Sequence, residues 1–275
     1  MTIDLHCHTK MSDGSTGINE LIELAKLRKV DVISVTDHDT FAGSVRATVI
    51  GRRQGVEVVP GVEISAYDTQ RKKKVHILCY YPKNPTRLEG MLRKITAARK
   101  AAMLISVQKV VRMYPMPLSM ILTRAHESTN IYKQHVMQAL MDAGYTDELF
   151  GNVFQKLFNS KYGLAYTNIE YPSVEAVVKE VHDAGGFAVL AHPSEYDSMD
   201  LMQELCEKDL IEGVEAYHPR NNPEDVEAIE RCCGQFDKVV TGGTDFHGVY
   251  TRICHPVGSY LTPEAQFAIL KKHSK

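Results

Sequence analysis

The sequence predicts an α/β fold, organised as a barrel or a largely parallel sheet with a helical insertion. Short β-branched and apolar runs alternate with helical patterns in the first and last parts of the chain, as in strands joined by crossover helices. The middle of the chain keeps a helical period instead. With 275 residues, the chain can form one large α/β domain that contains an insertion. The predicted strands are 3–5, 32–35, 56–59, 75–79, 187–190, 213–216, 238–241 and 257–261.

The predicted insertion begins with one long amphipathic helix from about Arg87 to Arg112. A segment with two prolines at 115–117 ends this helix, and two further helical stretches follow at 135–143 and 147–158. Strands and helices alternate again near Pro172. We therefore divide the chain into a barrel, residues 1–87 and 166–275, and a helical insertion, residues 88–165.

The composition is that of an ordinary globular protein. The formal net charge is −2 and 44% of the residues are hydrophobic, which excludes a disordered chain and gives no overall attraction to nucleic acid or anionic membranes. The sequence begins without a leader-like segment, and no apolar stretch approaches the length of a membrane span. The six cysteines form no CxxC pair. We expect a cytoplasmic protein with reduced thiols, no membrane association and no evident obligate protein partner.

Histidines and acidic residues cluster where the first two predicted strands end. His6 and His8 alternate at the end of the first strand, so both side chains lie on one face and can converge on one metal ion. Asp37 and His38 follow the second strand, and functional groups of α/β barrels sit at this end of the strands. For the next residue, Asp39, we predict a helix N-cap together with Thr40.

Four later segments repeat this pattern. Glu63 follows the third predicted strand, and His76 lies inside the fourth, where a histidine must find a hydrogen-bond partner or a metal. His192 ends the fifth strand, and Asp245 and His247 follow the seventh. Imidazole combined with carboxylate suits zinc, manganese or iron, whereas calcium sites use oxygens and structural zinc sites use thiolates. The pattern therefore indicates a catalytic site with several metal ions.

In this arrangement the chain resembles the PHP (polymerase and histidinol phosphatase) family of metallophosphoesterases. The resemblance spans nearly the whole chain and implies a distorted (β/α)7 barrel with a catalytic metal centre. The matching segments, in family order, are His6-Cys7-His8, Ser12-Asp13-Gly14, Thr36-Asp37-His38, Pro60-Gly61-Val62-Glu63-Ile64, His76, Ala191-His192-Pro193 and Asp245-Phe246-His247.

The resemblance also implies the ligands of two or three divalent ions, which would be manganese, iron or zinc. One ion would be held by His6, His8, Glu63 and Asp245, a second by Glu63, His76 and His192, and a third by Asp13, His38 and His247. A hydroxide that bridges two ions would attack phosphorus, because coordination lowers the pKa of water to roughly 7.

Two further residues are candidate catalytic groups. Asp37 would orient a ligand or move a proton. His218 follows the predicted strand 213–216 and is expected to face the same mouth of the barrel.

The insertion indicates the substrate class. It resembles that of the nucleoside 3′,5′-bisphosphate phosphatases and short-RNA 5′ exonucleases, in which an Arg-x-His segment helps to bind phosphate. His135 matches this segment, but Lys133 stands in place of the arginine. A lysine keeps the positive charge but cannot make the two parallel hydrogen bonds of a guanidinium group. Lys161 matches a second basic position, and Arg220 is expected at the mouth. These four residues are the predicted phosphate-binding groups.

The substrate alternatives remain open at this stage. A small phosphorylated substrate, with a nucleoside 3′,5′-bisphosphate first, is favoured over histidinol phosphate or a cyclic phosphodiester. An exonuclease acting on short oligonucleotides would need an open groove with aromatic side chains, for which Tyr132, Tyr162 and Tyr166 are candidates. Two alternatives remain. The complete ligand set argues against a non-catalytic metal-bound module. A metal-dependent amidohydrolase shares the barrel and the ligand types, but the short motifs match the phosphoesterase family better.

Overall fold

A computed structural model describes residues 1–273 and contains one seven-stranded sheet in a nearly closed barrel. The strands are arranged in chain order, and all are parallel to their neighbours except β4, which is antiparallel to both β3 and β5. Near the junction of the first and last strands, the His8 N–H donates to the Phe246 carbonyl oxygen at 2.8 Å. The strands are β1 (Ile3–Cys7), β2 (Val32–Val35), β3 (Glu57–Asp68), β4 (Lys73–Tyr80), β5 (Phe187–Leu190), β6 (Gly213–Tyr217) and β7 (Val239–Gly242).

The predicted barrel is confirmed, with two corrections to its strands. First, β3 and β4 form a long antiparallel hairpin rather than two strands joined by a helix, because the four residues 69–72 are too few for a crossover. Second, the predicted strand 257–261 is irregular, and its Gly258 N–H donates to the buried Asp4 carboxylate instead of to a neighbouring strand.

In the part of the chain that the structure describes, six helices accompany the strands of the barrel. Their buried faces pack on the sheet, as in α7, where Val174, Val177, Val178 and Val181 are buried in the main apolar core. Asn222 caps α9 by accepting the Asp225 N–H at 2.9 Å, and Pro223 occupies the first position of the helix. These helices are α1 (Ile18–Leu27), α2 (Ala42–Gln54), α7 (Val174–Asp183), α8 (Met199–Glu207), α9 (Pro223–Gln235) and α10 (Glu264–His273).

Between β4 and α7 the chain forms a helical region with its own apolar core. The long helix predicted from the sequence is present as α3 (Glu89–Met113), and α4 (Leu118–Arg124), α5 (Lys133–Asp142) and α6 (Asn152–Phe158) follow it. Buried residues that include Val107, Ile121, Leu140 and Phe158 form a cluster separate from those of the barrel. The division at 87/88 and 165/166 stays a prediction.

Asp39 connects the two regions, and its predicted role as a helix cap is wrong. Helix α2 begins three residues later, and the Thr40 hydroxyl oxygen accepts the Ala42 N–H at 3.2 Å. The Asp39 carboxylate instead accepts the Ser65 N–H at 2.8 Å and an Arg99 N–H at 2.7 Å. Because Arg99 lies on α3 and Ser65 on β3, this buried ion pair fixes the first insertion helix to the hairpin.

Within the described residues, no helix has the length and apolar character that crossing a membrane requires.

Candidate metal centre

The predicted metal ligands all meet at one end of the barrel. The hairpin makes this possible, because β2 pairs with β3 only as far as Pro60, and the rest of β3 extends past it as a wall of the mouth. Glu63 lies on this extension, so its carboxylate reaches ligands from four other strands. The side chains that surround it are His6, His8, Asp13, His38, His76, His192, Asp245 and His247.

Four atoms form the first predicted ligand group. His8 Nε2 lies 3.1 Å from His6 Nε2, and 3.2 Å from both Glu63 Oε2 and Asp245 Oδ1. His6 Nε2 lies 3.5 Å from the same two oxygens. Ligands bonded to one tetrahedral ion at about 2.1 Å are about 3.4 Å apart. The group therefore has the size that a metal ion requires.

The other two predicted groups are also brought together. Glu63 Oε1 lies 2.7 Å from His76 Nδ1 and 2.9 Å from His192 Nε2. On the opposite side, Asp13 Oδ1 lies 3.3 Å from His247 Nε2, and Asp13 Oδ2 lies 3.7 Å from His38 Nε2. The Glu63 carboxylate thus faces the first group with one oxygen and the second group with the other.

Unsatisfied buried atoms indicate that cations belong in this cluster. In the described part of the chain, Asp13 Oδ1 and His38 Nδ1 are buried without a hydrogen-bond partner. His38 Nδ1 lies 3.0 Å from Glu63 Oε2, yet the pair is not aligned for a hydrogen bond. A bound cation would satisfy the lone pair of Asp13 Oδ1 and the one free lone pair of the neutral His38 ring, so the donor set fits divalent metal ions.

The carboxylates of the cluster are ionised at neutral pH. Burial alone would raise the pKa of Glu63, but His76, His38 and His6 outweigh it and hold that pKa well below its usual range. The pKa of Asp245 is lowered in the same way, against burial, by His247 and His6. The metal-free site therefore presents charged oxygens to any cation that enters.

Histidines of the cluster whose pKa is raised would release protons when metal binds. Burial lowers the pKa of His247, but Asp245 and Asp13 raise it to about 10. For His192, burial is outweighed by the hydrogen bond with Glu63 and by Glu195, and the pKa is raised to about 9. Because a ligating imidazole must be neutral, metal affinity should increase with pH up to this range.

Glu215 contacts two of the predicted ligands, His6 and His192, and the sequence reasoning missed it. It lies fully buried on β6, where Oε1 accepts the His6 Nδ1–H at 2.9 Å and Oε2 accepts the His192 N–H at 3.1 Å. The first bond fixes the tautomer of His6, so that Nε2 is free to bind metal. A glutamate inside the apolar run Gly213-Val214-Glu215-Ala216 was the available signal.

The two predicted catalytic residues make different contacts. The Asp37 carboxylate accepts the Thr9 N–H at 2.8 Å and the hydroxyls of Thr9 and Ser12 at 2.7 Å, so it orders the loop that carries Asp13. His218 is buried, and its Nδ1 accepts the Arg220 N–H at 3.1 Å. Its Nε2 lies 3.3 Å from Asp245 Oδ2 and has no hydrogen-bond partner in the described residues. The contacts of Asp37 favour positioning over direct chemistry, and a catalytic role for either residue stays a prediction.

The backbone is strained at ligand positions. His192 and Asp245 have φ angles of 23° and 50°, which residues other than glycine rarely adopt. Gly243 is required nearby, since a Cβ atom there would lie 2.4 Å from the His6 backbone nitrogen. The local conformation therefore brings the end of β7 close to β1 and directs Asp245 toward His6 and His8.

The predicted phosphate-binding residues are placed differently from one another. Arg220 is exposed at the mouth, in the wall of the metal cavity. Lys133 is half-buried at the start of α5 and lies 5.4 Å from the centre of the Tyr166 ring. His135 is buried and uses Nδ1 to accept the Tyr132 N–H, while burial lowers its pKa to about 4. Lys161 is exposed in a turn after α6 and does not line the cavity.

The metal cavity is small, with a volume of about 170 Å³. Besides the ligands and Arg220, its wall contains Arg252, Tyr196 and Gln134, which the sequence reasoning did not single out. Gln134 donates from Nε2 to Asp13 Oδ2 at 2.9 Å. A larger groove of about 920 Å³ lies between α2 and α3 and contains none of the predicted metal ligands.

Comparison with known proteins agrees with this site. A family model described as PHP domain matches residues 4–186. A phosphoribosyl 1,2-cyclic phosphate 1,2-diphosphodiesterase from Eggerthella lenta is 36% identical over 93% of this chain and 97% of its own length. A 3′,5′-nucleoside bisphosphate phosphatase from Chromobacterium violaceum is 26% identical over 89% of this chain and 87% of its own length. Among solved structures, a Bifidobacterium adolescentis protein assigned to the metal-dependent phosphoesterases has a TM-score of 0.87 and 27% identity. The match covers 99% of this chain and 96% of that protein.

Proposed function

Because this chain belongs to the PHP domain family and is a metal-dependent phosphoesterase, we propose that it hydrolyses a cyclic phosphodiester on a phosphorylated ribose. The first candidate substrate is phosphoribosyl 1,2-cyclic phosphate. The observation that carries this proposal is the 36% identity to the Eggerthella diphosphodiesterase, which extends over 97% of that protein and therefore includes the helical insertion. The insertion alone favoured a nucleoside bisphosphate as the first candidate substrate, and the identity to the diphosphodiesterase now places the cyclic diester first.

The size of the site supports a compact substrate. A cavity of about 170 Å³ can accommodate a phosphoryl group and part of a sugar, whereas sites for larger ligands measure roughly 300–1,000 Å³. Tyr132, one candidate for stacking on a nucleobase, is 4% exposed, and its ring lies against Arg99 and His38. The buried position of this ring counts against a stacking groove for oligonucleotides.

The reaction would proceed in two balanced steps. One water opens the cyclic diester by forming one P–O bond and breaking another, and the proton goes to the sugar oxygen that leaves. A second water breaks the remaining ester bond and releases inorganic phosphate. Bound divalent cations would supply an acidic water and neutralise charge on the phosphoryl oxygens.

The residues of the chain would orient this reaction. Glu215 holds His6 through a hydrogen bond, so His6 Nε2 faces the other ligand atoms without rearrangement, and His218 Nε2 lies 3.3 Å from Asp245 Oδ2. The Arg220 guanidinium at the mouth would bind a phosphoryl oxygen as the substrate enters. Gln134 keeps Asp13 directed toward His247 and His38.

A nucleoside 3′,5′-bisphosphate is the second candidate, favoured by the 26% identity to the Chromobacterium phosphatase. Both candidates are riboses that carry a second phosphoryl group away from the reacting one. They differ in whether the reacting phosphate is a ring diester or a monoester.

A substrate panel tests this proposal. Phosphate release and 31P NMR would be followed for the Mn-loaded protein with phosphoribosyl 1,2-cyclic phosphate, adenosine 3′,5′-bisphosphate, AMP, histidinol phosphate and a short RNA. We expect kcat/KM for the cyclic phosphate to exceed every other value by at least about tenfold. A higher kcat/KM for the bisphosphate would overturn the first candidate and support the second.

A further inference from the structure

Two lysines from different parts of the chain meet beside one aromatic ring. Lys74 on β4 has its Nζ 5.9 Å from the centre of the Tyr166 ring, and Lys133 on α5 has its Nζ 5.4 Å from the same centre. The Lys74 Nζ also lies 5.6 Å from the centre of the Tyr171 ring. We call Lys74, Lys133, Tyr166 and Tyr171 the lysine pair site.

Neither ammonium group of this site has an acidic partner. Within residues 1–273, no carboxylate lies in salt-bridge contact with Lys74 or Lys133, although both side chains are half-buried. The Asp39 carboxylate is paired with Arg99 at 2.7 Å, so it does not balance the charge of either lysine. Burial, with Lys74 and Arg99 adding repulsion, lowers the pKa of Lys133 to about 8. The site therefore holds positive charge that an anion would stabilise.

The lysine pair site adjoins the metal centre. Lys74 and the ligand His76 are two residues apart on one strand, so their side chains leave the same face of the sheet. On α5, Lys133 precedes Gln134, which lines the metal cavity. Arg99 connects the two places: its Cζ lies 5.6 Å from the centre of the Tyr171 ring and 4.9 Å from that of Tyr132, whose ring centre is 6.1 Å from that of the ligand His38.

We propose that Lys74 and Lys133 bind the second, non-reacting phosphoryl group of the substrate while the metal centre holds the reacting one. This inference rests on the proposed function, since it assigns the 5-phosphate of a phosphoribosyl substrate to the lysine pair site. Two ammonium groups neutralise a phosphate dianion, and the rings of Tyr166 and Tyr171 limit their hydration, which strengthens the attraction. Lys74 is then a specificity-determining residue. Its ammonium group, the second at the site, compensates for the two parallel hydrogen bonds that an arginine at position 133 would make with the phosphate.

Binding of ribose 5-phosphate to chelator-treated protein tests the site without catalysis. Isothermal titration calorimetry should show binding to the wild-type protein and a Kd raised roughly tenfold or more in K74M and in K133M. The matched control is K73M, because Lys73 is the neighbour of Lys74 and its Nζ is paired with Asp197 at 2.6 Å. A wild-type protein that does not bind, or a K74M protein that binds as well as K73M, would overturn the proposal.

Kinetics of the Mn-loaded proteins separate this proposal from the proposed function. With the cyclic phosphate, K74M should raise KM and largely keep kcat, while hydrolysis of p-nitrophenyl phosphate, which has no second phosphoryl group, should be unchanged. If the wild-type protein does not hydrolyse the cyclic phosphate but ribose 5-phosphate binding still depends on Lys74, the proposed substrate is wrong and the subsite stands. Circular dichroism melting of each variant confirms that it is folded.

Discussion

The mouth of the barrel and the helical insertion are stabilised by different forces. At the mouth, buried carboxylates and imidazoles lie 2.7–3.7 Å apart, with Asp13 Oδ1 and His38 Nδ1 unsatisfied. The insertion contains an apolar cluster of leucine, valine, methionine and phenylalanine side chains. The mouth therefore concentrates charged groups that bound cations would balance, whereas the core of the insertion is stabilised by burial of apolar surface, with the Asp39–Arg99 ion pair joining it to the barrel.

The largest expected effect comes from removing the shared carboxylate of the mouth. Glu63→Gln should lower kcat/KM on the order of 10³-fold or more, because Glu63 faces two ligand groups. Steady-state kinetics with the best substrate of the panel measure this loss. Glu57→Gln on the remote end of the same strand is the control, and full activity in Glu63→Gln would contradict the ligand assignment.

Metal removal should destabilise the two regions unequally. At a free metal concentration about 1,000 times Kd, binding to the native state stabilises it by about 4 kcal/mol per ion. Hydrogen exchange with and without chelator should therefore show faster exchange at the ends of β1, β2 and β7, with little change in α5. Equal loss of protection in both regions would show that the insertion also depends on the metal centre.

A core substitution in the insertion provides the opposite test. Leu140 is fully buried, so Leu140→Ala should lower the free energy of unfolding by about 2–5 kcal/mol. Chemical denaturation measures this change, and it should persist after metal removal. If the destabilisation disappears in chelator, the two regions are not independent.

Loss of the residue that orients His6 should have a smaller effect on activity. Glu215→Gln keeps the shape of the side chain but removes the charge that fixes the tautomer of His6, so metal affinity should fall by about 10–100-fold. Titration of Mn²⁺ into chelator-treated protein measures the metal affinity. Excess metal should restore most activity, whereas a loss that no metal concentration recovers would assign Glu215 to the chemistry itself.

The smallest effect is expected at Lys161. Its side chain is exposed in a turn and does not line the metal cavity, so Lys161→Ala should change kcat/KM by less than about twofold. A loss comparable to that of Lys133→Met would restore its predicted role in phosphate binding. The same kinetic assay distinguishes these outcomes.

Much of the fold followed from local sequence patterns. The strands, the long helix α3 and the ligand motifs are visible because strand ends and helical periods involve neighbouring residues. The direction of β4 was missed, although the short connection after Asp68 excluded a crossover helix. The Asp39–Arg99 ion pair joins residues 60 positions apart, so no local pattern could reveal it.

The candidate site was predicted less completely than the fold. A buried Glu215 cannot be distinguished from an outward-facing glutamate by its spacing, because burial depends on how the barrel closes around it. Lys74 lies in the run Lys72-Lys73-Lys74, and only the fold shows that Lys73 pairs with Asp197 while Lys74 lies against Tyr166.

The most direct test of the account is phosphate release from phosphoribosyl 1,2-cyclic phosphate as Mn²⁺ is added back to chelated protein. We expect no release without metal and a rate that rises with bound Mn²⁺ until the ligand groups around Glu63 are filled. Release that is independent of metal, or fully loaded protein that hydrolyses no phosphate ester, would contradict the assignment of this cluster as the catalytic centre.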